Sequence, residues 1–386
     1  MALVADRVPI LQRERPLRPD LLLVLPYLVL SGLGLLMIYS ASAPRLAALG
    51  LPPDRDLKRQ AIAVVLGFVV FAVVSAIDLR TVRTWVPTLY VGSVVLLVVV
   101  ITPLGEEVKG AQRWIQIGAF QFQPSELAKV AIVLALASLL SAAGPGPLRW
   151  QRTLRAVALV GLPALLIFVQ PDLGTMLVFG FVGLVMLFVA GATWRQLAFL
   201  AVTAVVGAAA LLRSGRIREY QITRLTAFLD PSSDPLGAAY NQFQSEIAIG
   251  SGGFFGRGLF NGTQTNLRFV PEQATDFIFT AVGEQLGFVG SAFVLVLYGI
   301  VLWRLLVFAA NARDRFSRLV SVGVAALIGF HVVVNVAMTI RLAPVTGLPL
   351  PFMSAGGTVF LALSAALGLA HSAWLRRSPV PGEGVD

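Results

Sequence analysis

Ten apolar runs leave this chain few ways to fold. They cover about 21–40, 61–78, 85–103, 125–143, 155–169, 174–190, 196–212, 277–306, 318–340 and 353–374. A helix needs about 20 apolar residues, range 17–25, to cross a bilayer core. Most of the runs reach that length. The fifth is short, and Gln170-Pro171-Asp172-Leu173-Gly174 leaves only a tight turn before the sixth. In lipid a backbone must satisfy its own polar groups, so such runs become helices. The expected fold is an all-α polytopic integral membrane protein with ten transmembrane helices. Composition agrees: 57% of the 386 residues are hydrophobic and 13% charged, about half the charge of a soluble domain. We read one membrane domain over 1–386, with tails at 1–20 and 375–386 and one large loop, 213–276, between helices seven and eight.

Basic residues in short loops set the orientation. With a cytoplasmic N-terminus the inner segments hold Arg7, Arg13, Arg15, Arg18, Arg80, Arg83, Arg149, Arg152, Arg155, Arg195, Arg304, Arg313, Arg315, Arg318, Arg376 and Arg377. These outnumber the outer set of Arg45, Arg55, Lys58, Arg59, Lys109, Arg113 and Arg341. Both termini are expected inside, and the large loop outside. The arginines before Leu21 resemble a signal n-region. The run that follows is long enough to span and lacks a convincing cleavage site, so an uncleaved first helix is expected. The net charge of +10 is scattered between apolar runs and does not point to nucleic acid. The absence of cysteine excludes disulfides, thiolate metal sites and cysteine nucleophiles. The two histidines, His331 and His371, lie inside apolar runs, so acid–base chemistry falls to carboxylates.

The outer loops hold those carboxylates. Asp276 ends the polar loop where the eighth apolar run begins, and Glu284 lies within that run. A carboxylate at mid-bilayer costs about 2.5–3.5 kcal/mol on insertion scales. Asp276 at a helix N-terminus suits the macrodipole, and Thr275-Asp276 could equally be a plain N-cap. Glu284, eight residues on, falls about 12 Å down the same expected helix. It lies between Gly283 and Gly287, a spacing that admits a neighbouring helix, and reads as a buried anchor. Glu126 and Lys129 share a helical face, either as an internal ion pair or as a phosphate-holding pair. His331 and Asn335 are four apart and suit interhelical hydrogen bonds. In the large loop, 217–229 and 238–249 have helical spacing, with a turn at 230–235. The six glycines of 250–262 miss every phosphate-loop spacing and read as a tight re-entrant loop, whose N–H groups and Arg257 could still face an anionic headgroup.

At 335–358 the chain reads NVAMTIRLAPVTGLPLPFMSAGGT. This resembles the signature of the SEDS family (shape, elongation, division and sporulation). Lys109 to Trp114, Gln123 to Lys129, Gln170 to Thr175 and Pro271 to Phe279 also resemble its motifs, in the same order, so the resemblance covers essentially the whole chain. Gly256 to Gln264 together with Pro271-Glu272-Gln273 is closer to the rod-shape branch, RodA, than to the division branch, FtsW. Three positions depart from the family's pattern: Arg341 for a usual glycine, Ala355 for a usual tyrosine and Ala274 for a common histidine.

The resemblance implies a peptidoglycan glycosyltransferase of the bacterial cytoplasmic membrane that polymerises lipid II for elongation and rod shape. It also implies a class B penicillin-binding protein (a transpeptidase) as partner, with other elongation-machinery membrane proteins, and makes Asp276 the catalytic residue. Its motifs put Lys129, Arg113, Glu126, Trp114, Lys109 and Ser354 forward for substrate binding, with Arg59 added as a basic residue of the outer face. They put Asp172, Asn335, Pro344 and Gly347 forward for positioning, beside Glu284. Joining a sugar hydroxyl to an anomeric carbon needs one base, and a lipid-linked pyrophosphate can leave without an acid if cations balance its charge. Asp276 is expected as that base, or as ligand to a divalent cation, Mg²⁺ or Mn²⁺; no other cofactor is implied. Two other readings remain: a lipid II flippase, since proline-interrupted helices also describe transporters, and a scaffold for partner assembly. A division-branch, FtsW-like polymerase is a further alternative, nearer to the rod-shape polymerase reading.

Overall fold

A computed structural model describes residues 18–377 apart from 109–110, 119, 145, 214, 216–218 and 231–237. The chain is helical, as expected. The membrane helices are α1 (Leu21–Ala48), α2 (Arg55–Ala76), α3 (Leu79–Val99), α4 (Pro124–Ser141), α5 (Trp150–Val169), α6 (Leu173–Val189) and α7 (Trp194–Arg213). The large loop carries α8 (Glu219–Leu229), α9 (Ala238–Ser251) and α10 (Thr263–Leu267). Then come α11 (Ile278–Ala310), α12 (Arg315–Thr339) and α13 (Gly357–Leu375). Among the described residues nine helices are long and apolar enough to span, and α6 is equally apolar but has 17 residues. Together they are the ten expected runs.

Aspartates set several starts by accepting orphan N–H groups of the first turn. Asp20 accepts from Leu23 N at 2.9 Å, Asp78 from Arg80 N at 2.8 Å, Asp172 from Thr175 N at 3.1 Å and Asp314 from Phe316 N at 2.9 Å. Pro124 opens α4, a position where its missing N–H costs nothing. The centre of the bundle is α4, α12 and α13, which are mostly buried. The margin is α7, whose one buried residue is Gln196. Gln196 donates to Leu148 O at 2.9 Å and Trp150 meets Phe199 edge-on, so α7 is held at the end that leads from α6.

Several boundaries differ from expectation. α5 starts five residues early, because 150–154 continues the helix, and α2 starts in charged residues at Arg55. The loop 104–124 is not bare. It folds into an antiparallel sheet, β1 (Glu106–Val108), β2 (Ala111–Ile117) and β3 (Phe120–Phe122), in the order β1-β2-β3. The helices expected in the large loop are present as α8 and α9. Most of the turn expected at 230–235 lies outside the described residues.

The largest correction concerns 276–287. Asp276 and Glu284 do not share a helix. α11 begins at Ile278, its N-cap is Phe277, and no side chain caps it. The helix then breaks at Gly287, with φ 66° and ψ −160°. Loop 252–258 fills the break, rather than a neighbouring helix. Arg257 N and Gly258 N donate to the carbonyls of Glu284 and Gln285 at 3.0 and 3.1 Å. Phe288 N and Val289 N donate to the carbonyls of Gly253 and Phe254 at 2.9 and 3.1 Å. Backbone groups freed inside a membrane helix are thus re-satisfied by another segment, as they must be. The N–H groups of Arg257 and Gly258 in the glycine-rich stretch are therefore spent on the broken helix.

The close approach explains Gly252. A Cβ there would stand 2.0 Å from Gly283 O, whereas one at Gly250 meets nothing within 4 Å. Gly252→Ala is expected to cost about 1–3 kcal/mol through overpacking. Gly250→Ala, in a helical turn, is expected to be neutral or slightly stabilising. Thermal unfolding of the two variants in detergent checks the pair; equal midpoints would contradict the packing argument.

Candidate functional site

The expected site residues converge only in part. A cavity of about 810 Å³ opens between β2, the start of α6, α8, the 272–276 turn and the 345–356 segment. Arg113, Trp114, Glu126, Asp172, Asp276 and Gly347 line it. Asp276 is held through its backbone. Its N–H donates to Glu272 O at 3.0 Å, and its carbonyl accepts from Asn335 Nδ2 at 2.7 Å. The same Asn335 nitrogen donates to Leu348 O at 2.8 Å. Asn335 is buried on α12, so one amide ties the two segments that carry Asp276 and Gly347.

Gly347 has φ +73°, and a methyl placed there would lie 3.5 Å from Asp276 Oδ2 and 3.9 Å from Arg224 Nη1. The carboxylate therefore passes over a bare backbone, with a guanidinium beside it. Arg224, on α8, is the cavity cation that sequence reading missed. Its only sequence signal was its place in an amphipathic helix of the large loop, which does not say which way it faces. Glu272 and Thr175 also line the cavity and were not singled out.

Arg113 faces the cavity but is largely engaged. It donates to Gln170 O at 3.0 Å and to Pro171 O, and lies 3.9 Å from Asp172 Oδ2. Asp172 also accepts from Thr175 Oγ1 at 3.0 Å. Glu126 and Lys129 form an ion pair of 2.6 Å with both side chains almost fully buried. Lys129 Nζ stands 3.1 Å from His331 Nε2, and His331 Nδ1 stands 2.8 Å from Leu327 O. That pairing makes Nδ1 the N–H donor and leaves Nε2 to accept from the ammonium. Lys129 lies beneath the cavity floor and does not line the cavity; Glu126 does, and its Oε2 has no hydrogen-bond partner.

The remaining candidates lie elsewhere. Glu284 accepts from Gln264 N at 2.7 Å, Thr265 N at 3.0 Å and Thr265 Oγ1 at 2.6 Å. It anchors α10 to α11, away from the cavity. Ser354 Oγ accepts from Leu350 N at 2.9 Å inside a buried turn. Pro344 lines a smaller side cavity with Leu177, Leu212 and Ile222. Arg59 lines a second cavity. Lys109 lies outside the described residues.

The three departures have local settings. Arg341 has φ +55°, where glycine is least strained, and pairs with Glu246 at 3.1 Å. Ala355 N donates to Ala274 O at 2.8 Å, so two of the departures touch, and both line the second cavity. Among the described residues, no group of three or more His, Asp or Glu is placed to share a metal ion. The described carboxylates around Asp276 thus do not form a protein cage for a divalent cation.

What the arrangement offers is a carboxylate held over Gly347, in a polar cavity that further carboxylates and two arginines also line. A family model described as cell cycle protein, FTSW_RODA_SPOVE, matches residues 20–377. The peptidoglycan glycosyltransferase MrdB of Escherichia coli (strain K12) is 38% identical over 356 residues, 92% of this chain and 93% of that one. A chain solved for the structural coordination of polymerization and crosslinking by a peptidoglycan synthase complex is 34% identical, with a TM-score of 0.78, covering 94% of this chain and 100% of that one. The rod shape determining protein RodA of Thermus thermophilus is 31% identical, with a TM-score of 0.68, covering 94% and 98%.

Proposed function

The chain belongs to the FtsW/RodA/SpoVE family as an integral membrane peptidoglycan glycosyltransferase, and from that premise we propose that Asp276 is the base with which it polymerises lipid II. The observation that carries this is the placement of Asp276: the carboxylate lies over Gly347 in the cavity of about 810 Å³, and Asn335 holds its backbone. Asp276 takes the proton of the acceptor's C4 hydroxyl. The oxygen forms a bond to the donor's anomeric carbon, and the bond from that carbon to the diphosphate breaks with inversion. General base catalysis of this kind contributes about 10²–10⁴-fold. Glu126 lines the same cavity, and its pairing with Lys129 fixes that part of the wall. Trp114, on the cavity wall, offers a sugar-stacking face. A gel assay of glycan strands made from lipid II, wild type beside Asp276→Ala, tests the assignment.

The partner follows from the same footing. A solved relative comes from a synthase complex that couples polymerization to crosslinking, and we assign this chain a class B penicillin-binding protein in that role, within the elongation machinery. Both termini lie in the cytoplasm and the cavity opens outside, as the basic residues of the short loops require. The chain has no cysteine, which makes the orientation simple to check. In intact cells an impermeant maleimide is expected to label Glu107→Cys and not Arg313→Cys, both exposed positions. The reverse pattern would invert the topology and take the cavity to the wrong side.

A further inference from the structure

His331 is a fully buried ring with no part in the proton transfer to Asp276. It lies on α12, one turn from Asn335 on the same helical face. Asn335 holds the carbonyls of Asp276 and Leu348. His331 reaches α4 instead, where Lys129 Nζ stands 3.1 Å from its Nε2. One face of α12 therefore meets both the segment that carries Asp276 and the helix that carries Glu126. The two helices also touch further from the cavity. A Cβ at Gly323, about two turns before His331, would stand 2.6 Å from Val133 Cγ1 on α4.

The ring is oriented by its own helix. Nδ1 lies 2.8 Å from Leu327 O, so Nδ1 carries the proton and the bare Nε2 accepts from the ammonium. Lys129 and Glu126 are both buried, and their contact is 2.6 Å. An ammonium has three N–H donors; Glu126 Oε1 takes one and His331 Nε2 a second. The neutral ring adds no charge to the cluster. What it adds is direction: Nζ bonds Oε1 alone, and Glu126 Oε2 has no hydrogen-bond partner among the described residues. Without an acceptor at 331 the ammonium would be free to share itself between the two oxygens, and the carboxylate would turn with it. A leucine at 331 would fill the space with apolar atoms and leave that constraint out.

We propose that His331 is a positioning residue for glycosyl transfer. By holding Lys129 to one oxygen of Glu126, it fixes how that carboxylate stands in the cavity wall relative to Asp276, which the same face of α12 holds through Asn335. The proposal rests on the reading of Asp276 as the base in the cavity of about 810 Å³, which Glu126 also lines. Transfer needs the reacting atoms about 3–3.5 Å apart and aligned. A wall that turns disturbs that alignment while leaving most binding contacts in place, so the loss falls on kcat rather than on KM.

The test measures steady-state glycan synthesis from lipid II by the full chain in detergent, at a temperature where each variant is folded. His331→Leu is expected to lower kcat by about tenfold with KM little changed. His331→Gln is expected to restore most of that loss, because its amide can accept from Lys129 through Oε1 and donate to Leu327 O through Nε2. A folded His331→Leu protein with wild-type kcat would overturn the proposal, as would a His331→Gln protein no more active than His331→Leu. Histidine ¹⁵N NMR supplies a readout that does not need turnover. The chain has two histidines, and His331→Gln protein shows which signals belong to His371. At neutral pH His331 is expected to be neutral with its proton on Nδ1. Its Nε2 signal is expected to move downfield in Glu126→Gln/Lys129→Met protein, where the donor is gone. An imidazolium, or a proton on Nε2, would overturn the proposal even if His331→Leu failed to fold. Failure of the underlying reading shows separately, as glycan made at wild-type rate by Asp276→Ala protein with His331 intact.

Discussion

Asp276→Ala is expected to lower glycan synthesis from lipid II by about 10²–10⁴-fold, the usual contribution of one general base, or about 3–5 kcal/mol on the barrier. The structure says why this loss is chemical. The backbone of residue 276 is fixed through its N–H and carbonyl, bonded to Glu272 and Asn335. Its side chain does not cap α11, whose N-cap is Phe277. An alanine keeps all of those backbone contacts. The thermal midpoint should therefore stay close to wild type while polymer disappears from the gel. Asp276→Asn, which keeps shape and loses basicity, should be nearly as inactive. A folded Asp276→Ala protein that makes glycan at near wild-type rate would end the assignment of the base. A flippase would behave otherwise, moving headgroups across vesicles without polymer, and a scaffold would tolerate the change.

Lys129→Met carries the largest expected effect on stability. It removes the cation paired with a carboxylate that is 3% exposed and has one oxygen without a hydrogen-bond partner among the described residues. It also removes the donor facing His331 Nε2. Breaking a buried ion pair by deleting one partner costs about 3–5 kcal/mol, chiefly because the other charge stays buried. Replacing both members by neutral groups of similar size costs far less. Glu126→Gln/Lys129→Met should therefore regain most of the stability lost by Lys129→Met alone, a coupling between contacting residues that a double-mutant cycle reads directly. Equilibrium unfolding in detergent supplies the four midpoints. A single variant as stable as wild type, or a double variant no better than the single, would contradict an ion pair of this kind. Activity separates the two roles of the pair: Glu126 reaches the cavity and Lys129 does not.

The membrane helices could be read from the chain because the bilayer imposes a length. About 20 apolar residues suffice to span it, and no tertiary contact is needed to see them. The large-loop helices α8 and α9 were legible from spacing, and Asp276 from its position where the polar loop ends. The errors cluster where backbone geometry overrides pattern. The run from Ile278 reads as one helix, since nothing in its composition marks the positive φ of Gly287. The inserted loop that makes the break affordable comes from residues 252–258, some thirty positions earlier. The β-sheet of 106–122 was missed for a similar reason: short strands at a membrane surface have too few residues for alternation to show.

The side chains divide along the same line. By itself the sequence determined what must cross lipid, which carboxylate stands at the water's edge, and, through motifs spread over the whole chain, which family's chemistry to expect. These are local properties of residue type and order. Which way a cation faces was decided only in three dimensions. Lys129 turned inward to Glu126 and His331, Arg113 to the carbonyls of Gln170 and Pro171, and Arg224 and Arg59 to two different cavities. A buried charge takes the nearest compensating group, and that group can lie two hundred residues away in the chain, as His331 does from Lys129.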